Sequence, residues 1–317
     1  MTTILRMAGR RLLTLPPLLL GITLFVFVIL QFSPNDPAYN ALGEGSTESA
    51  RAAFAAAHGL DDPLIVRYFR FLGDLCTGDL GITAPPGKPV ADMIGTAFPL
   101  TLQLTLLGLL FAVVAALVLG ITAALFRDRW PDQVIRVLSM AGIATPSFWL
   151  GILLIQQFAI RWGWFPTGGY VNPVDGLGEW LRSLTLPALA LAVPVGASLT
   201  RIVRTSMVEE LDRDYVRTAT GNGLPPLVVV GRNVLRNALI TPLTVLGLRV
   251  GYLLGGAVVI EAIFSLPGMG TLILNGVTSG DVALVQGTVL TIAVSFVVVN
   301  FLADLACLLA NPRLRGA

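Results

Sequence analysis

Six long apolar runs dominate this chain and leave few alternatives for its fold. A hydrocarbon core of about 30 Å needs about 20 apolar helical residues to cross it. Runs of that order fall at residues 12–32, 98–126, 134–160, 183–203, 239–264 and 285–310. Strands of a membrane barrel would instead alternate over segments of about ten residues. Backbone polar groups have no water partners in lipid, so continuous apolar runs are read as helices. The expected class is therefore an all-α integral membrane protein with six transmembrane helices. Charge agrees, because only 13% of the 317 residues are ionisable, too few to coat a soluble globule of that size.

The same scarcity removes several function classes. A net charge of +2 provides no basic footprint for nucleic acid. Two cysteines and one histidine cannot build a metal cluster, so no metal site is expected. Lys88 is the only lysine and is followed by Pro89, whereas a phosphate-binding P-loop needs Ser or Thr there. The chain is thus expected to hydrolyse no nucleotide itself. His58 has no serine elbow to serve, and no catalytic residue is expected.

Basic residues set the orientation. With the N-terminus inside, 14 of the 21 arginines and lysines lie on the cytoplasmic side, 6 lie outside, and Arg249 falls within a span. Both termini are then cytoplasmic. Arg6, Arg10 and Arg11 could also open a signal peptide. The apolar run behind them is long for that, and Ser33-Pro34-Asn35-Asp36-Pro37 is a poor cleavage site, so residues 1–32 are read as a cytoplasmic segment plus a retained first span.

Between spans lie two polar pieces. Residues 33–97 read as an external helical cap. Ser46 would open one helix ended by Gly59. Asp62 and Pro63 would open a second, with Ile65, Tyr68, Phe69, Leu72 and Leu75 as its apolar stripe and Gly78 as its stop. The cap either covers the spans or docks something delivered from outside. Residues 207–238 are cytoplasmic, mix acidic with basic side chains, and carry Gly221, Gly223, Pro225 and Pro226 at their middle. They form either a solvated helix–turn–helix or a docking surface. The rest of residues 98–310 makes a five-helix core, and 311–317 a cytoplasmic tail.

Three ionisable residues lie in or at the edges of spans: Arg249 near mid-depth of the fifth, Glu261 near its outer end, and Asp304 near the inner end of the sixth. Such residues are costly in lipid and mark pathways by default. Arg249 therefore either lines a transport path, where it would bond a carboxylate or carbonyl, or forms a structural ion pair with Asp304. Gly247, Gly251 and Gly255 beside it offer a smooth face for close helix approach.

One resemblance draws these pieces together. Asp214-Tyr215-Val216-Arg217-Thr218-Ala219, then Gly223-Leu224 and Leu235-Arg236-Asn237-Ala238-Leu239, resembles the coupling loop of ABC importer permeases. In particular it is similar to the first permease subunit of dipeptide/oligopeptide importers. Supporting markers run along the chain, among them Asn35-Asp36-Pro37, Gly78-Asp79-Leu80-Gly81, Thr145-Pro146-Ser147-Phe148-Trp149, Leu266-Pro267-Gly268-Met269-Gly270 and Asn311-Pro312-Arg313. The family often has a basic pair where Thr220 and Asn222 stand, a histidine at Asn233, and an uncharged residue at Arg249. Pro225-Pro226 replaces a more polar stretch.

The resemblance implies a type I ABC importer permease fold in the bacterial inner membrane. It implies no cofactor in this chain, with ATP and Mg²⁺ on two partner ATPase subunits. A second homologous permease and an external, periplasmic peptide-binding protein complete the expected assembly. Asp214, Tyr215, Arg217, Thr218, Ala219, Gly223, Leu224 and Pro225 would couple to the ATPase, through a short helix around Arg217–Leu227. Arg249, Glu261 and Asp304 would belong to the translocation path. Other cargo carried by related machines, such as nickel chelates, oligosaccharides or haem-like ligands, stays open, as does an ion-coupled transporter acting alone.

Overall fold

The computed structural model of the protein describes residues 16–29, 37–43, 45–57, 59, 61–83 and 87–310. The described residues are almost wholly helical, with one isolated antiparallel bridge between Ile82 and Pro89. In chain order the helices are α1 (Pro16–Ile29), α2 (Pro37–Leu42), α3 (Glu48–Ala57), α4 (Leu64–Thr77), α5 (Val90–Leu125), α6 (Trp130–Ala144) and α7 (Ser147–Leu154). A π-helical segment, Ile155–Arg161, extends α7. There follow α8 (Leu177–Leu211), α9 (Asp214–Gly221), α10 (Pro226–Val228), a second π-helical segment (Val229–Val234), α11 (Leu235–Ala238), α12 (Ile240–Ile263), α13 (Met269–Ser279) and α14 (Val282–Ala310).

Among the described residues α5, α8 and α14 are each long and apolar enough to cross a bilayer. Two bent pairs raise the number to five if each is one span: α6 with Ser147–Arg161, and Pro226–Gly247 with Arg249–Ile263. The described part of the first apolar run, Pro16–Ile29, is apolar but shorter than a span. Five of the six runs of the sequence thus correspond here to three spanning helices and two bent pairs, and the described part of the first is too short to span.

The third run departs most from expectation. A single helix over 134–160 is replaced by two arms meeting at 104°. Pro146 is the cause: it has no N–H for the helical ladder, and its ring drives the preceding residue out of the α region. Thr145 accordingly has φ −83° and ψ 121°, and its hydroxyl donates to the Ala141 carbonyl at 2.8 Å. Beyond the bend, Phe158, Trp162 and Trp164 cluster with ring centroids 4.5–6.0 Å apart, a group of the kind that anchors helix ends at a membrane surface.

The chain forms two compact units. In the first, comprising Leu102–Leu266 and the end of α14 from Val298, α8 is the central element and packs against α6, α7 and α12. Small residues permit the close approaches: a Cβ at Gly120 would lie 2.7 Å from that of Val203, and one at Gly142 3.0 Å from that of Ala197. Gly251 is buried and Gly256 faces Leu191, whereas Gly255 is exposed, so the Gly247-Gly251-Gly255 series does not lie on one packed face.

In the second unit, which holds the described residues up to Thr101 and Pro267–Val297, Val90, Ile94, Ala97, Met269 and Leu284 make the core. The Thr101 hydroxyl accepts the Met269 N–H at 2.9 Å and starts α13, a helix with no counterpart among the expected elements. In the 33–97 segment Thr47, not Ser46, accepts the Ala50 N–H, while Ser46 donates to Gly43. Pro63 occupies the N-cap of α4, and Asp62 instead ion-pairs with Arg70 at 2.7 Å. Of the expected α4 stripe, Tyr68, Leu72 and Leu75 are half-buried, and Phe71 joins them. Tyr68 and Phe71 pack on Phe27, and Tyr68 bonds Thr23 and Leu20, while Ile65 and Phe69 are exposed. His58 lies outside the described residues.

Candidate functional site

The 207–238 segment resolves into four short pieces. α8 continues to Leu211, the chain breaks at Asp212–Arg213, and α9 occupies Asp214–Gly221. The short helix expected around 217–227 is therefore earlier. It ends because Gly223 takes φ +77°, a conformation that favours glycine, and because Pro225 cannot donate to a helix. The Gly223 N–H bonds the Thr220 carbonyl and the Leu224 N–H that of Ala219, closing the helix end.

Helix α9 is amphipathic. Val216 and Ala219 are buried, and Asp214, Tyr215, Arg217 and Thr218 are exposed. Asp214 and Arg217 lie 3.8 Å apart at 99% and 76% exposure, too open to stabilise the helix measurably. Tyr215 joins three elements: its hydroxyl donates to Glu210 at 2.7 Å on α8 and accepts from Asn237 at 3.3 Å on α11. Burial, together with Glu210, pushes the Tyr215 phenol up, so it remains a donor at physiological pH. Past the helix, Gly223 through Val228 form an exposed, largely apolar tip in which Leu227 is 88% exposed.

Two ion pairs tie the base of this segment to the α5–α6 connection. Arg127 donates to Asp212 at 2.8 Å. Arg204, on α8, donates through Nε and Nη2 to the two oxygens of Asp132 at 3.1 and 2.7 Å. Asp132 is fully buried, with the Asp128 N–H at 3.0 Å and Arg136 at 3.7 Å as further partners. Sequence reasoning missed Asp132. It sits just before the third apolar run, and the only cue was an acid beside Arg129 and Arg136 at a helix start.

Of the three ionisable residues assigned to spans, Arg249 is half-buried on α12 and donates through Nη2 to the Ser198 hydroxyl of α8 at 2.9 Å. Glu261 is fully buried near the end of α12, and its carbonyl accepts the Leu266 N–H at 2.8 Å. Asp304 falls in α14, but its side chain lies outside the described residues. No group of metal-binding residues occurs among the described residues.

These features can be set beside known proteins. Residues 116–316 match the family described as binding-protein-dependent transport system inner membrane component, and residues 4–105 match its N-terminal counterpart. A putative peptide transport system permease protein of Brucella abortus strain 2308 is 38% identical over 94% of this chain and 95% of its own length. The glutathione transport system permease protein GsiC of Escherichia coli K12 is 35% identical over 96% and 97%. Among solved structures, an inward-facing conformation of the MetNI methionine ABC transporter covers 69% of this chain and 96% of its own, with a TM-score of 0.55 and 15% identity. That likeness concerns the fold.

Proposed function

Since the chain belongs to the binding-protein-dependent transport system inner membrane component family, a multi-pass inner membrane family, we propose that it is the permease subunit of an ATP-driven ABC importer of di- and oligopeptides. It crosses the membrane six times with both termini in the cytoplasm, its first run completing the sixth crossing. It pairs with a second homologous permease. Two ATPase subunits, holding ATP and Mg²⁺, grip the 207–238 segments, and an external binding protein delivers peptide. The chain itself carries no catalysis.

One observation supports this reading above others: the solvent-facing apolar tip from Leu224 to Val228, with Leu227 at 88% exposure, directly after a short amphipathic helix. Exposed apolar residues in a compact cluster mark docking surfaces. Asp214, Tyr215, Arg217, Thr218, Ala219, Gly223, Leu224 and Pro225 form or shape that surface. Closure of the ATPases on bound nucleotide would push α9, and the Arg204–Asp132 and Arg127–Asp212 ion pairs would carry the push into the spans. Access then alternates by rocking of helices around a central path, with Arg249 on its wall.

Leu227→Asp in the reconstituted complex of both permeases, both ATPase subunits and the binding protein tests this. Membrane insertion is expected to persist while peptide-stimulated ATP hydrolysis and uptake are lost. Full coupling in that variant would overturn the docking role.

A further inference from the structure

On α12, Arg249 and Tyr252 are the tenth and thirteenth of 24 residues, three apart and so neighbours on the helix surface. Tyr252 is 57% exposed. Among the described residues its hydroxyl has no hydrogen-bond partner, and Arg249 has no ion pair. One turn further on, a Cβ built at Gly255 would meet nothing within 4 Å, so the flank stays open there.

A phenol and a guanidinium in the middle of an apolar helix are misplaced against lipid. Tyr is favoured at membrane surfaces, where its hydroxyl stays wet, and charged side chains within spans face the bundle interior or a wet cavity. This flank of α12 therefore meets a polar path. Ser198 fixes one edge of the guanidinium by accepting from Nη2 and, being 8% exposed, is itself held in the α8 packing. The remaining N–H groups, and the Tyr252 O–H a turn away, are all donors.

We propose that Arg249 and Tyr252 form a carboxylate-binding point on the translocation path that engages the C-terminal carboxylate of the passing peptide. Ser198 acts as a positioning residue. The inference rests on the permease reading and deepens it. A guanidinium presents a planar fork matched to a carboxylate, and a phenolic O–H adds a third donor to the same anion. The site repels an ammonium group and has nothing to pair with a C-terminal amide in the same way. Its single cation, open to a wet path, holds the anion loosely enough for release.

The test is ATP-driven uptake into proteoliposomes carrying the complete complex and its binding protein. The probes are trialanine and trialanine amide. Because the same receptor serves every variant, its own preference cancels when acid-to-amide ratios are compared. Arg249→Gln is expected to lower trialanine uptake about tenfold, the effect of losing a hydrogen bond to a charged group, and to bring the ratio toward that of the amide. Arg249→Lys should recover part of the ratio, and Tyr252→Phe should lower it severalfold.

An unchanged ratio in an assembled Arg249→Gln complex overturns the proposal. So does failure of Arg249→Gln to assemble with the second permease when Arg249→Lys assembles, because the arginine then pairs across a subunit interface. Absence of ATP-driven uptake of both probes by the wild-type complex is a separate result, and it removes the permease reading itself.

Discussion

Asp132 and Arg204, 72 positions apart in the chain, meet through two hydrogen bonds of 3.1 and 2.7 Å, and the carboxylate is completely enclosed. The pair locks the start of α6 to the C-terminal turns of α8 that lead into α9. A buried charge that loses its partner is strongly destabilising, by about 3 kcal/mol or more. Arg204→Ala should therefore lower the thermal stability of the purified subunit by roughly that amount. Arg204→Lys should recover only part of it, since a lysine cannot make the paired contact. Detergent-solubilised melting curves would measure both, and equal melting temperatures for wild type and Arg204→Ala would show the pair to be ornamental.

Tyr215 links α8, α9 and α11 through its hydroxyl. Tyr215→Phe keeps the ring and removes the bonds to Glu210 and Asn237, a loss of about 1 kcal/mol. The expected phenotype is weakened coupling: basal ATP hydrolysis of the assembled complex is retained, and its stimulation by loaded receptor is reduced. An intact stimulation ratio would confine the Tyr215 hydroxyl to local packing.

Gly223 separates two effects that a single substitution would confuse. A Cβ there meets nothing within 4 Å, so Gly223→Ala costs only its positive φ, about 1 kcal/mol. Gly223→Trp adds a bulky ring to the exposed tip. Coupled ATP hydrolysis should survive the first and fail in the second, with membrane insertion unchanged in both. Loss in both variants would mean that the turn geometry, not the surface, is what the ATPase requires.

Much of the architecture could be read from the amino acids because the bilayer is an undiscriminating solvent: apolar length alone located α5, α8, α12 and α14. One helix end with a backbone cause was also legible, at Gly78, whose positive φ ends α4, whereas Gly223, expected inside a helix over 217–227, lies just past the end of α9. What escaped was tertiary. The 104° bend at Pro146 depends on whether packing tolerates a break, and both Pro187 and Pro194 lie inside an unbroken α8. The facing side of α4 was read only in part: Tyr68, Leu72 and Leu75 face inward as expected, but its apolar residues encircle so much of the helix that Phe71, against Phe27, was missed and the exposed Ile65 and Phe69 were included. Asp132 was invisible for a similar reason, since a buried acid is recognised by its partner and Arg204 lies on another helix.

Two glycines of α5 predict opposite responses to the same change. A methyl group at Gly95 would meet nothing within 4 Å, so Gly95→Ala should stabilise the helix by about 1 kcal/mol through propensity alone. At Gly120 the same methyl would lie 2.7 Å from the Val203 Cβ and 3.0 Å from the Thr200 carbonyl oxygen, contacts that no flexible side-chain end can relieve. Gly120→Ala must therefore push α5 away from α8, and overpacking of this kind costs about 1–3 kcal/mol. Melting temperatures of the two variants should move in opposite directions from wild type. If Gly120→Ala were as stable as Gly95→Ala, α5 and α8 could not be packed as closely as the Gly120–Val203 approach requires.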